Sequence, residues 1–214
     1  MSPRSKRQPA AACAAEPVAW TVPPAEYQPR FVIEAVLADP LAVCVLEGAQ
    51  RLGLPDHALM AGAVYKAVWN ALTGREPGYG INDYDLAYFD GSDLSWDAED
   101  AVIRRAEPEF SGLPVPVEVC NQARVHLWFN EKFGTDRAPL RNTEDALRHF
   151  ASLTHAVALR LDETGVPDLL APLGLEAVFD QTVRPMPGVA NPDGWNRKCD
   201  SQKRLWPELD FVYA

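Results

Sequence analysis

The amino-acid sequence predicts an α/β or α+β domain, a β-sheet covered mainly on one side by helices. Segments with apolar residues at helical spacing alternate with short runs rich in β-branched and aromatic residues. The chain is heavily punctuated, with 19 prolines among 214 residues, so its elements should be short. At 47% hydrophobic and 23% charged residues, the composition is that of an ordinary folded protein.

Residues 1–26 mix Ala, Pro, Arg and Lys without a helical or strand period and are expected to form a flexible tail. Residues 27–214 are then one domain with a C-terminal helical segment. From Arg30 to Leu52 the apolar spacing predicts two helices separated at Asp39-Pro40. The run Ala58-Leu59-Met60-Ala61 reads as a short strand, Gly62 as a turn, and Val64 to Leu72 as a helix stopped by Gly74. A Gly/Pro-rich loop, Arg75 to Gly80, leads into a strand over Ile81 to Phe89. Ser95 is placed to cap a helix running to about Ala106, whose first turn carries Asp97, Glu99 and Asp100. In Pro114 to Asn121, Val115, Val117 and Val119 alternate with Glu118 and Cys120, the pattern of a strand with one apolar face. Helices follow over Ala123 to Phe133 and Asn142 to Phe150, then a strand at about Ala156 to Leu161 and a short one near Leu169. Gly174 to Val183 and Trp195 to Trp206 are read as the last two helices.

A formal charge of −10 excludes a broad electrostatic surface for extended duplex DNA, which needs clustered Lys and Arg. No apolar run approaches the eighteen or so residues that a membrane helix requires, and the N-terminus lacks the apolar core of a secretory signal. A soluble, cytoplasmic protein is expected. Cys13, Cys44, Cys120 and Cys199 have no metal-ligand spacing and are expected to be buried free thiols.

The chemistry concentrates in three acids. Asp83 and Asp85 lie two apart on an expected strand, so their side chains leave the same face and their oxygens converge. Glu118 sits in the middle of an otherwise apolar strand, where an uncompensated charge is costly to bury. A shared Mg²⁺ (or Mn²⁺) would compensate all three and suit hard oxygen ligands completed by water and phosphate. Spacing alone also allows that the aspartates are turn and edge-strand residues and that Glu118 points to solvent. Upstream, Ala61-Gly62-Ala63 marks a strand-to-helix turn where backbone N–H groups are placed to meet phosphate oxygens.

The order of glycine turn, helix, D-x-D strand and single acid on the next strand is carried by Ala61 to Gly74, GINDYDLAYFD (Gly80 to Asp90) and VEVCNQARVHLWFNEKFG (Val117 to Gly134). It closely resembles small bacterial nucleotidyltransferase-like proteins of the DNA polymerase β-like superfamily. The stretches Ala171 to Glu176 and Trp206 to Leu209 resemble that family's C-terminal marks, so the resemblance covers about residues 30 to 212. It implies a nucleotidyltransferase fold, a small mixed sheet flanked by helices, with Asp83, Asp85 and Glu118 as catalytic metal ligands. Gly62, Ala63, Lys66 and Arg124 are the candidate nucleotide and phosphate contacts. Where the wider superfamily has Ser or a second Gly, this chain has Ala63, which lacks a hydroxyl and offers only its N–H.

Several polar groups compete for attention around this frame. Asn121, Arg124 and His126 follow the Glu118 strand and are placed for nucleotide or acceptor contact, or for capping the next helix. Lys198, Lys203 and Arg204 are candidate triphosphate neutralisers or members of a solvated helix face. Trp69, Trp128, Phe129 and Trp206 are expected in the core, and Tyr84 and Tyr88 in cross-strand packing or a base pocket. The first functional expectation is transfer of a nucleoside monophosphate from a nucleoside triphosphate to a hydroxyl of a small molecule, protein or RNA. A non-catalytic nucleotide-binding or regulatory module is the alternative. A metal-dependent phosphodiester hydrolase ranks last, because His57, His126, His149 and His155 form no paired metal-binding motif.

Overall fold

A computed structural model describes residues 20–214; most of the expected tail lies outside these described residues. Its end is tied to the domain, since the Trp20 indole donates to the Phe179 carbonyl at 3.1 Å and Ala25–Tyr27 form a 3-10 turn. Two helices follow, α1 (Gln28–Leu37) and α2 (Pro40–Leu52). Asp39 separates them: its carboxylate accepts the Leu41 N–H at 3.0 Å, and Pro40 occupies the first turn, where a missing donor costs nothing.

Strand β1 (Ala58–Met60) runs directly into α3 (Gly62–Thr73), which ends on Gly74 in the left-handed conformation. Next come β2 (Tyr84–Tyr88), α4 (Trp96–Phe110), β3 (Val117–Asn121), α5 (Val125–Phe133) and α6 (Thr143–Leu147). Ser95 caps α4 and Asn142 caps α6, as their side chains accept the amides of Ala98 and Asp145. Helix α4 runs beyond Ala106 because Phe110 is buried where Gly48 of α2 leaves room for its ring. Strands β4 (Ala158–Leu161) and β5 (Pro167–Leu170), helix α7 (Glu176–Phe179), strand β6 (Thr182–Val183), helix α8 (Pro192–Leu205) and strand β7 (Asp210–Phe211) complete the chain.

Five strands form a mixed sheet in the order β3-β2-β1-β4-β5, with β2 and β3 parallel and the other neighbours antiparallel. Helices α2, α3 and α4 pack on its strands, and Tyr84, Leu86 and Tyr88 of β2 are buried. Met60, Asp85, Ala87, Glu118 and Cys120 border a large cavity, so the expectation of a sheet covered mainly on one side describes the architecture.

Four expectations are corrected. The helix expected over Gly174 to Val183 is only the four-residue α7: Asp180 turns extended, and β6 pairs in parallel with β7 as a second, two-stranded sheet. Strands of two residues are too short to leave a period in sequence. Cys44 is exposed on α2 rather than buried, whereas Cys199 is buried; Cys13 lies outside the described residues. Trp128 is 44% exposed instead of belonging to the core, while Trp69 and Trp206 are wholly buried with ring centroids 5.3 Å apart. Tyr84 serves neither packing alone nor a base pocket: its hydroxyl donates to the buried Asp39 at 2.5 Å.

Two anchors fix the chain just before Asp83. At Gly80, φ is +68°, and a Cβ there would overlap the Trp206 ring; the Gly80 carbonyl accepts Lys66 Nζ at 3.0 Å. Buried Asn70 ties the same loop to the core, accepting from the Trp206 indole at 3.1 Å and donating to the Tyr79 carbonyl at 2.9 Å. Gly80→Ala is therefore expected to lower stability by about 2–4 kcal/mol in chemical denaturation, because backbone strain and overpacking add; an unchanged midpoint contradicts this anchoring. Tyr84→Phe leaves Asp39 short of a donor and should cost about 1–3 kcal/mol in the same measurement.

Candidate active site

The parallel register of β2 and β3 places Asp85 opposite Glu118. Residues directly paired across adjacent strands project from the same face, so both carboxylates look out over the large cavity that they line; both residues are solvent-exposed, so Glu118 is not the buried charge that its place in an apolar strand suggested. Asp83 precedes β2 by one residue rather than lying within it. It nevertheless shares a smaller cavity of about 190 Å³ with Asp85, Gly62, Lys66 and Lys198. Asp85 and Lys198 line both cavities, and the larger has a volume of about 750 Å³.

The electrostatics follow from this crowding. Burial first, then the charges of Asp83 and Glu118, hold the Asp85 carboxyl above the usual range, while Lys198 and Lys66 pull it back. Lys66 is lowered by burial and by Lys198, against the two aspartates. Lys198 is raised, chiefly by the Tyr65 hydroxyl and further by Asp85 and Asp83, against its own burial. Burial, followed by Asp85 and Glu118, pushes the Cys120 thiol up to about 11, which keeps it protonated and a poor nucleophile.

Helix α3 opens on the small cavity from a strained start. Ala61 has φ +45° and ψ −103°, a region that L-residues rarely adopt. Three hydrogen bonds of 2.9 Å hold it there: its N–H donates to Val157, and its carbonyl accepts from Val64 and Tyr65. The strand-to-helix turn expected over Ala61-Gly62-Ala63 is present, and its positive φ falls on Ala61. A Cβ on Gly62 would meet only the tip of Lys66 at 3.7 Å, so this glycine leaves space beside the lysine instead of supplying a special torsion. No side chain caps α3, and the amides of Gly62 and Ala63 occupy first-turn positions that have no acceptor within the helix.

The structure gathers Asp83, Asp85, Gly62 and Lys66 around the small cavity, sets Glu118 beside Asp85 on the large one, and separates two other candidates. The Ala63 side chain is buried away from both cavities, leaving its amide as the only group at the helix start. Arg124 pairs with Glu99, donates to the Leu94 carbonyl at 2.9 Å, covers the Trp96 ring and lines neither cavity. The sequence marked Arg124 by its place after β3, but Glu99 on α4 already neutralises it. Asn121 is likewise structural, capping the turn before α5 and bridging to Asp90.

Tyr65, Ser201 and Gln202 escaped the sequence reading, whereas Lys198 was a candidate there for neutralising phosphate. Tyr65, one turn into α3, receives a hydrogen bond of 2.7 Å from Gln202 and stacks on His155 at 4.7 Å. His155 is 3% exposed, its Nε2 has no partner among the described residues, and burial holds it well below its usual pKa and neutral. Lys198, Ser201 and Gln202 stand three and four residues apart on α8 and line the small cavity together. That spacing was legible in the sequence as one polar face; what the face meets was not.

The donor set suits a hard divalent cation: carboxylate oxygens only, with a mutual repulsion on Asp85 that such a cation would relieve. Among the described residues, no three acidic, histidine or cysteine side chains stand grouped so that they could hold a metal ion, so Asp83, Asp85 and Glu118 are not gathered into one ligand set.

A solved NMR structure described as revealing a CCA-adding enzyme head domain aligns with TM-score 0.69 and 26% identity, covering 86% of this chain and 95% of the other. Two tRNA-processing enzyme structures align at TM-scores of 0.43 and 0.45 with 16% and 13% identity, covering 78% and 90% of this chain but only 43% and 45% of theirs. Among curated proteins none matches. The profile of a family described as nucleotidyltransferase matches residues 47–211, a span that contains every group of the site, and the chain belongs to that family.

Proposed function

We propose that the chain is a metal-dependent nucleotidyltransferase that transfers a nucleoside monophosphate from a nucleoside triphosphate to a hydroxyl acceptor. The observation that carries this reading is the in-register pair Asp85–Glu118, with Asp83 beside Asp85 in the cavity reached by the start of α3. Asp83, Asp85 and Glu118 would hold Mg²⁺ or Mn²⁺, which when bound supplies charge neutralisation on the triphosphate and polarises the reacting oxygens.

The chain's own groups then divide the work. The amide of Gly62, with the positive end of the α3 dipole, would meet the phosphates, and Lys66 and Lys198 would neutralise their charge. Glu118 lines the larger cavity and is placed to orient the acceptor hydroxyl and take its proton. The acceptor oxygen forms a bond to the α-phosphorus as the α–β phosphoanhydride bond breaks and pyrophosphate leaves. The acceptor class spans small molecules, proteins and RNA; the relative described as a CCA-adding enzyme head domain keeps RNA within it. The chain's acidity disfavours extended duplex DNA.

A second reading, a nucleotide-binding module without turnover, draws on Ala63, whose position offers no hydroxyl to the triphosphate. The two separate in one experiment: each labelled triphosphate is incubated with Mg²⁺, a cell lysate and either the native chain or Asp83→Asn/Asp85→Asn. Transfer of label and release of pyrophosphate by the native chain, reduced by at least about a thousandfold in the double variant, is expected. Binding without label transfer favours the module and removes the enzyme reading.

The acid cluster also has a stability signature. The folded-state pKa of Asp85 is raised, so ionising it costs stability; that cost is absent below the ordinary carboxylate range and is present once pH has risen through the folded value. Asp85→Asn should therefore raise the melting temperature of the metal-free protein at neutral pH while weakening stabilisation by Mg²⁺ with ATP. A lower melting temperature without metal contradicts the crowding described for these acids.

A further inference from the structure

The large cavity has a wall that the transfer chemistry leaves unused. It is carried by α5, the helix that follows the Glu118 strand, and by the loop after it. Phe129 and Phe133 sit with ring centroids 4.6 Å apart, Trp128 lies 5.7 Å from Phe129, and the Arg137 guanidinium rests 3.8 Å above the Phe129 ring. Arg137 is half-buried, and among the described residues its guanidinium donates one hydrogen bond, a long one of 3.4 Å to the His149 carbonyl. Burial alone lowers its pKa, with no acid to restore it. Arg148, exposed on the rim of the same cavity, donates to the Pro172 carbonyl at 3.2 Å and pairs with no carboxylate among the described residues.

Among the described residues Arg137 has no carboxylate ion pair, in contrast to Arg30, Arg51, Arg75, Arg124 and Arg160, and unlike an exposed arginine it is half-buried and stacked on a ring. Leaving a partly desolvated guanidinium unmatched costs free energy that an anionic ligand would recover. The loop is held ready for one: Asn130 accepts the Arg137 amide and donates to its carbonyl, at 2.8 and 2.9 Å, so the backbone is fixed while the guanidinium stays available. Beside it, the exposed face of Trp128 offers a platform for a planar group.

We propose that Arg137 and Arg148, with the aromatic rings of α5, form an acceptor subsite for a phosphate-bearing hydroxyl compound whose planar or sugar portion lies against the aromatic wall. The phosphate meets the two guanidinium groups, and the hydroxyl points along the same cavity to Asp85 and Glu118. Calling this ligand the acceptor rests on the nucleotidyl-transfer reading; the anion site itself does not. The same chemistry is presented by a small sugar phosphate and by the end of a single-stranded RNA.

Calorimetric titration of the full chain without divalent metal, using ribose 5-phosphate and separately a single-stranded RNA trinucleotide, tests the assignment. One or both probes should bind the native chain, and the one that binds more tightly identifies the source. Arg137→Met should weaken that binding by at least about tenfold, Arg148→Met by several-fold, and Lys66→Met, which alters the triphosphate cavity, by less than about twofold. Binding by neither probe at about 10 mM, or binding that depends on Lys66 and not on Arg137, overturns the proposal. If Arg137→Met does not fold, Arg137→Lys decides: it keeps the charge but loses the planar stacked fork, and affinity equal to the native chain's overturns the subsite. Arg137-dependent binding in a protein that transfers no label removes the enzyme reading and leaves the anion site standing.

Discussion

The site depends on the register between two parallel strands. Because Tyr84 pairs with Val117, Asp85 must pair with Glu118, and a slip of one residue would turn one carboxylate into the opposite face. Like charges directly opposite each other destabilise a sheet. Here the cost falls on Asp85, whose ionisation is opposed by burial and by both neighbouring acids. A fold that keeps such a pair gives up stability at the place where a cation and phosphates would return it.

The rest of the molecule holds that register against the repulsion. Asp39 does two jobs, capping α2 and accepting from Tyr84 at the start of β2, so the helix layer fixes where the strand begins. On the other side of Asp83, the Asn70–Trp206 hydrogen bond and the fit of Gly80 beneath Trp206 join the C-terminal segment to the loop that delivers the aspartate. Lys66 belongs to both systems, since its ammonium group holds the Gly80 carbonyl and lines the small cavity. The strained Ala61, fixed by three backbone hydrogen bonds, sets the direction in which α3 leaves the sheet. Core packing and site geometry therefore share residues, with Trp206 packed against the loop that leads to Asp83.

Much of this was legible in the sequence because it is local. Alternation placed β3 and its acid, glycine at 74 stopped α3, and Ser95 and Asn142 marked helix starts that their side chains cap. The three acids were identified as a group, and two of them share a registered pair. What stayed hidden depended on tertiary contact. Nothing near Arg124 in the chain reveals that Glu99 neutralises it, and the positive φ falls on Ala61, a residue type that gives no sign of it, rather than on Gly62. Tyr65 and Gln202 meet across 137 residues of sequence, and Trp128 follows a helical apolar pattern yet remains exposed because its side of α5 faces a cavity rather than core.

The central claim is that Asp83, Asp85 and Glu118 act on one divalent ion beside the start of α3. Paramagnetic broadening of backbone amide signals by substoichiometric Mn²⁺, recorded with a non-hydrolysable ATP analogue bound, reads distance from the ion directly. The account predicts selective loss of the signals of Gly62, Asp83, Asp85 and Glu118 and their immediate neighbours, abolished by excess Mg²⁺. Broadening centred elsewhere on the protein, or sparing Glu118 while reaching the two aspartates, contradicts it.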